Sequence, residues 1–147
     1  ELAQRILKSV FATSSKKPEA EVIGDIPVIW GDQDRLTQVI TNLVENAIRH
    51  GEGLKRLEIE TEEHDETVGV AVRVIDSGPG IPADQRARVF SRFWRSGPGA
   101  GSGLGMFIVK GVVKLHEGEI LIEDETGGGA RITVWIPINE PATFTDA

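Results

Sequence analysis

The chain has 147 residues, 39% of them hydrophobic, and a formal net charge of −7. That length suits one domain with a buried core, and the acidic balance argues against a nucleic-acid binder, which needs a basic surface. Cysteine is absent, which excludes disulfides and thiolate metal sites and fits a reducing compartment. No apolar run approaches the length of a membrane span, and no signal-peptide pattern opens the chain.

Leu2, Ile6, Leu7 and Val10 recur at helical spacing, so 1–12 reads as an amphipathic helix. The polar stretch 13–20 contains Pro18 and reads as a loop. Val22–Ile23 and Val28–Trp30 are short apolar runs broken by Gly24 and Pro27, a strand or an interrupted pair of strands. Asp32 or Asp34 can cap a helix reaching about Arg49, with Leu36, Val39, Ile40, Leu43 and Ala47 as its core stripe. Gly51 and Gly53 end it. Leu57–Thr61 and Val68–Ile75 read as a hairpin around a charged turn at 62–67. Residues 82–93 read as a short helix with Pro82 in its first turn. A Gly/Pro/Ser loop at 95–102 leads into a helix over 103–116, with Leu104, Ile108, Val112 and Leu115 on one side. Glu119–Glu123 and Arg131–Ile138 are strands separated by the turn Gly127–Gly129, and 139–147 reads as a tail. Helices segregated from a mostly antiparallel sheet predict an α+β fold of two layers, α on β.

Three motifs carry chemistry. The first, Asn42-Leu43-Val44-Glu45-Asn46-Ala47-Ile48-Arg49-His50, lies on the 32–50 helix. Asn42, Asn46, Arg49 and His50 fall on one side of that helix, bordering the apolar stripe. Two carboxamides one turn apart offer oxygens to a hard cation such as Mg²⁺, which keeps waters and phosphate oxygens as its other ligands. Arg49 can neutralise phosphate. Taken alone, the same residues describe a solvated helix flank. Glu45 points roughly 100° away from Asn46, the angular step of one helical residue, so it is not assigned as a base.

The second motif, Asp76-Ser77-Gly78-Pro79-Gly80-Ile81, follows an apolar strand. A carboxylate there can accept a hydrogen bond from an exocyclic amine such as that of adenine, and glycines let the backbone approach the ring. Alone it is equally an ordinary turn. The third motif, Gly101-Ser102-Gly103-Leu104-Gly105, precedes a helix, where unpaired N–H groups bind anions. It is neither a Walker loop nor a strict GxGxxG, and alone it could be a linker. Between them lies Phe90-Ser91-Arg92-Phe93-Trp94-Arg95, aromatics and arginines suited to anchoring a hinged flap and reaching phosphate. Together the motifs describe a purine-nucleotide site.

In this order, the motifs resemble the N, G1, F and G2 boxes of the catalytic ATP-binding domain of sensor histidine kinases, in the GHKL superfamily. The resemblance covers almost all of 1–138, leaving 139–147 as a tail. It implies an α/β sandwich, a mixed, mostly antiparallel sheet packed on about three helices, with ATP and Mg²⁺ as ligands. It implies catalytic roles for Asn42 and Asn46, with Asn46 binding Mg²⁺, and phosphate contacts for Arg49 and Arg95. His50 would lie against the nucleotide, Asp76 would take the adenine amine, and Gly78, Gly80 and Ile81 would line the base. Gly101, Gly103, Leu104 and Gly105 would form the phosphate end, and 95–102 the lid.

None of His50, His64 and His116 stands in the family's phosphoacceptor context. The expected partners are therefore a histidine-containing dimerisation domain of the same parent protein and a downstream response regulator, with no nucleic acid and no membrane contact by this domain. The resemblance implies a cytoplasmic setting and a membrane-anchored parent. An anti-sigma-type serine kinase or GHKL ATPase is the alternative within the superfamily. Those relatives typically carry Glu where this chain has Asn42. A nucleotide-sensing, partner-binding module without transfer activity is the alternative outside enzymology.

Overall fold

The computed structural model describes residues 22–23, 33–50, 53–91 and 104–137. Strand β1 is Val22–Ile23, helix α1 is Gln33–His50, and β2 (Leu54–His64) and β3 (Thr67–Asp76) form a hairpin. Two 3-10 turns, Ala83–Gln85 and Arg88–Phe90, follow. Helix α2 is Gly105–Leu115, and β4 (Glu119–Asp124) and β5 (Ala130–Pro137) form a second hairpin. The sheet order is β1-β2-β3-β5-β4. β1 runs parallel to β2, and the other pairings are antiparallel. This is the expected mixed, mostly antiparallel sheet. The expected helix 1–12, the run Val28–Trp30, the loop 95–102 and the tail lie outside the described residues.

Helix α1 buries Val39, Ile40, Leu43 and Ala47 of the expected stripe, together with Val44, and the side chain of Leu36 lies outside the described residues. These pack with Leu57 and Ile59 of β2, Val70, Val72 and Val74 of β3, and Ile132, Val134 and Ile136 of β5. Alternation along β3 and β5 sends these residues to one face. Each fully buried Leu, Ile or Val of this kind stabilises the fold by about 1.5–3 kcal/mol relative to exposure.

Three elements depart from the sequence-based expectation. β2 runs to His64, so the turn is only Asp65–Glu66. The charged residues assigned to a turn belong to the ladder because they find partners on its outer face: Arg73 reaches Glu60 at 2.8 Å and Glu62 at 2.6 Å. Helix α2 buries Met106, Val109, Val112 and Val113, while the expected core residue Leu115 is 64% exposed. That helix is apolar nearly all round, so periodicity leaves its inward face undetermined and packing on α1 and the sheet chooses it. Within 82–91, the described part of the expected 82–93 helix, the chain forms the two short turns instead of one helix, with Val89 buried and Phe90 packed against the core. The side chain of Arg86 binds carbonyls outside the segment and pins its middle to β4.

On the outer face Trp135 is only 4% exposed. The His64 ring stacks on it at 4.3 Å between centroids, and the indole N–H donates to the Glu62 carbonyl at 2.9 Å. The indole also lies against Gly69, where any Cβ would clash with the ring.

Candidate functional site

β3 ends at Asp76, a buried carboxylate. Its Oδ1 accepts the Gly78 N–H at 3.0 Å and the Ala130 N–H at 2.9 Å. One donor comes from the loop that follows and the other from the first residue of β5, so two main-chain groups fix the aim of the carboxylate. Such groups are strong and directional partners. Close approach of the β4–β5 turn makes this possible. Gly129 has φ +100°, and a Cβ there would collide with the Asp76 carbonyl oxygen. The turn itself is closed by Glu125 N–H to Gly129 O and Gly128 N–H to Glu125 O, both at 3.0 Å.

The loop after Asp76 is also tied to α1. The Gly53 N–H donates to Ala47 O at 3.2 Å, and the Ser77 N–H donates to Gly53 O at 3.2 Å. Gly53 has φ +118°, a conformation open to glycine and strained for other residues. One residue therefore joins the C-terminal turn of α1 to the residue after Asp76.

A turn earlier on α1, Asn42 Nδ2 donates to the carbonyl of Gly105, the first residue of α2, at 3.2 Å. Between these two ties lies Asn46, half-buried, with Arg49 exposed one turn on. The polar side of α1 thus runs from the start of α2 at Asn42 to the Asp76 loop beyond Ala47. The first two motifs and Gly105, the last residue of the third, meet on this stretch of helix.

Leu104 takes the N-cap position of α2 and makes no side-chain capping bond. The leucine side chain offers no hydroxyl or carboxylate to the first N–H groups, and a helix N-terminus is a setting in which anions bind. Gly78 is buried, Gly80 has φ +84°, and Ile81 is partly buried against the core. The side chain of His50, and Arg95, Gly101 and Gly103 altogether, lie outside the described residues.

Among the described residues no group of three or more His, Cys, Asp or Glu could hold a metal ion. The carboxamides of Asn42 and Asn46 on α1 are a candidate donor pair among the described residues. Few, hard and neutral donors fit Mg²⁺, which completes its shell with water and phosphate, and do not fit a zinc cage.

Gly53, Arg86, Gly129 and Ala130 shape this site, and motif reading missed all four. Gly53 and Gly129 were legible as turn residues, but which groups they approach depends on pairing far along the chain. Ala130 acts through its N–H, which no side-chain pattern reveals.

Residues 31–140 match the family model for histidine kinase-, DNA gyrase B- and HSP90-like ATPases. The chain belongs to this family. Within it, the chain is a catalytic ATP-binding domain of the sensor-histidine-kinase type. It is 39% identical over 118 residues to the sensor histidine kinase ZraS of Escherichia coli O157:H7, covering 78% of this chain and 24% of that protein. It is 34% identical over 143 residues to the signal transduction histidine-protein kinase BaeS of Escherichia coli K12, covering 94% of this chain and 30% of that protein. The chain thus spans a quarter to a third of the length of these relatives. Among solved structures, the mycobacterial sensor histidine kinase MprB superposes with a TM-score of 0.76 at 31% identity, covering 92% of this chain and 93% of that one. Full-length ShkA in complex with AMPPNP also gives 0.76, at 26% identity, covering 96% of this chain and 30% of that one. No described helix is long and apolar enough to cross a membrane.

Proposed function

We propose that this domain binds Mg-ATP along the polar side of α1 and donates the γ-phosphate to a histidine on a separate dimerisation domain of the same parent protein. A response-regulator aspartate would then receive the phosphoryl group. The observation that carries this reading is the placement of ties along one helix. Asp76, held by two main-chain N–H groups, lies at one end, and the start of α2, fastened to Asn42, lies at the other. A nucleotide has the matching polarity: a base with an amine edge at one end and a run of anionic oxygens at the other.

In this reading Asp76 accepts the adenine amine, and Gly78, Gly80 and Ile81 line the ring. Gly101, Gly103, Leu104 and Gly105 receive the phosphates at the α2 N-terminus, aided by Arg49 and Arg95, with His50 against the nucleotide. Asn46 would hold Mg²⁺, which when bound neutralises phosphate charge. Asn42 keeps the two helices in register, so its share in catalysis is orientation of the phosphate end. Phosphoryl transfer needs mainly alignment and charge neutralisation. No residue is assigned as a general base.

Calorimetry with ATP, with and without Mg²⁺ and with GTP as control, tests the site. Tighter binding with Mg²⁺ and a preference for adenine are expected, and a folded domain that binds neither nucleotide overturns the reading. Label transfer from ATP to the parent's dimerisation domain then tests the reaction. Binding without transfer would leave a nucleotide-sensing module.

A further inference from the structure

Arg86 belongs to none of the motifs, yet its guanidinium joins two separate parts of the fold through three acceptors. Its Nε donates to the Ile81 carbonyl at 3.0 Å, its Nη1 to the Ile122 carbonyl at 3.2 Å, and its Nη2 to Asp124 Oδ1 at 2.9 Å. Ile81 is the last residue of the loop that begins at Asp76, and Ile122 and Asp124 belong to the edge strand β4. An edge strand presents unpaired carbonyls outward, and the planar guanidinium fork can meet such a carbonyl and a carboxylate at once.

The geometry closes a ring. Asp76 is bound to the N–H at the start of β5, β5 is joined to β4 by the Gly127–Gly129 turn, and Arg86 returns from β4 to Ile81. Within that ring, Gly80 is so close to the turn that a Cβ there would lie 3.4 Å from Gly129 O and 3.5 Å from Asp124 Oδ1. The loop is therefore held at its first residue by β5 and at its last by Arg86. Two of Arg86's three acceptors are main-chain carbonyls, so it fixes backbone. Its ion pair with Asp124, whose side chain is 78% exposed, adds little by itself.

We propose that Arg86 is a positioning residue for base recognition. It sets the wall formed by Gly80 and Ile81 at a fixed distance from Asp76, and so sharpens the choice of adenine over guanine. Loss of this tie lets the wall move relative to the carboxylate, while the phosphate end on α1 and α2 keeps its own ties. This inference rests on the proposed nucleotide site.

The test compares ATP and GTP binding by calorimetry in the wild-type chain and in Arg86→Ala, with thermal melts to verify folding. ATP should weaken by roughly tenfold, the scale of one charge-assisted hydrogen bond, with GTP nearly unchanged, so that the ATP/GTP ratio falls. In the parent kinase the same variant should raise KM for ATP and leave kcat near the wild-type value, because uniform binding is lost while alignment of the phosphates is kept. Should Arg86→Ala unfold, Arg86→Lys keeps the charge and the stem and lacks the fork, and it should lower the ratio too. A folded variant with the wild-type ratio overturns the role of Arg86 alone. Failure of the wild-type chain to bind ATP overturns the nucleotide reading and this inference with it.

Discussion

Asp76 combines a structural duty with a chemical one, and substitution can separate them. An Asn at this position keeps an oxygen for the Gly78 and Ala130 N–H groups, but that oxygen no longer carries charge. Asp76→Asn should therefore leave the melting temperature nearly unchanged and weaken ATP by about 1.5–3 kcal/mol, the worth of a hydrogen bond to a charged group. Calorimetry would read that as a loss of about ten- to a hundredfold. Unchanged affinity would remove Asp76 from the base subsite, and a collapsed melt would make its anchoring role the dominant one. At this scale the sequence was informative about residue type and position: an acid just past a buried strand, followed by glycines. It was silent about what holds that acid, because Ala130 is 54 residues away and acts through its backbone.

Elements were legible where one periodicity prevailed and illegible where the pattern was saturated. Helix α1 shows an apolar stripe against polar flanks, and Val39, Ile40, Leu43 and Ala47 lie where spacing put them. Helix α2 has almost no polar flank near its start, so Leu115 and the buried Val109 were indistinguishable by spacing. The β2–β3 hairpin is longer than its pattern predicts because its tip is charged, and a run of charge reads as a turn. The tip itself is tight: Asp65 has φ +48° and Glu66 φ +68°, linking the paired residues His64 and Thr67. Two positive φ values are what a two-residue hairpin of right-handed twist demands, and glycine is the usual second residue. A left-handed conformation costs a non-glycine residue roughly 1–2 kcal/mol. Glycine loses more entropy on folding, so Glu66→Gly should stabilise the domain by roughly 0.5–1 kcal/mol net. Urea unfolding would measure this, with nucleotide affinity unaltered because the tip carries none of the site residues. Equal or lower stability would mean that Glu66 is not strained in the folded chain.

At the scale of the whole molecule, the two layers have different jobs. One face of the sheet carries the helices and the proposed nucleotide site, and the other is knitted by charged side chains. His64 closes that second face. From β2 it lies over Trp135 of β5, with Nδ1 3.2 Å from Glu119 Oε1 of β4 and Nε2 3.0 Å from Glu62 Oε2. A neutral imidazole has one N–H to give, whereas the imidazolium donates to both carboxylates. Desolvation works against the charged ring, but the hydrogen bonds and charges of Glu62 and Glu119 outweigh it and raise the His64 pKa above its usual 6.5. Glu62 is likewise opposed by desolvation, yet its bonds to His64 and Arg73 lower its pKa below the usual 4.5. The signs then set a pH window. The folded state holds the His64 proton more tightly than the unfolded chain, so this contribution is complete below about pH 6.5 and is lost as pH rises through the folded value. The Glu62 contribution is present above the usual carboxylate range and is lost as pH falls through its lowered value. Both are in force between those limits, and on the alkaline side the clasp over Trp135 loosens. Unfolding free energies of the wild-type chain and His64→Gln, measured in urea from pH 5.5 to 8.5, should differ most at the acid end and converge with rising pH. His50 and His116 are the same in both proteins, so the difference isolates His64. Two curves that stay parallel would mean that His64 carries no extra proton in the folded state, and β2 would then be held over β5 by packing on Trp135 without the charge.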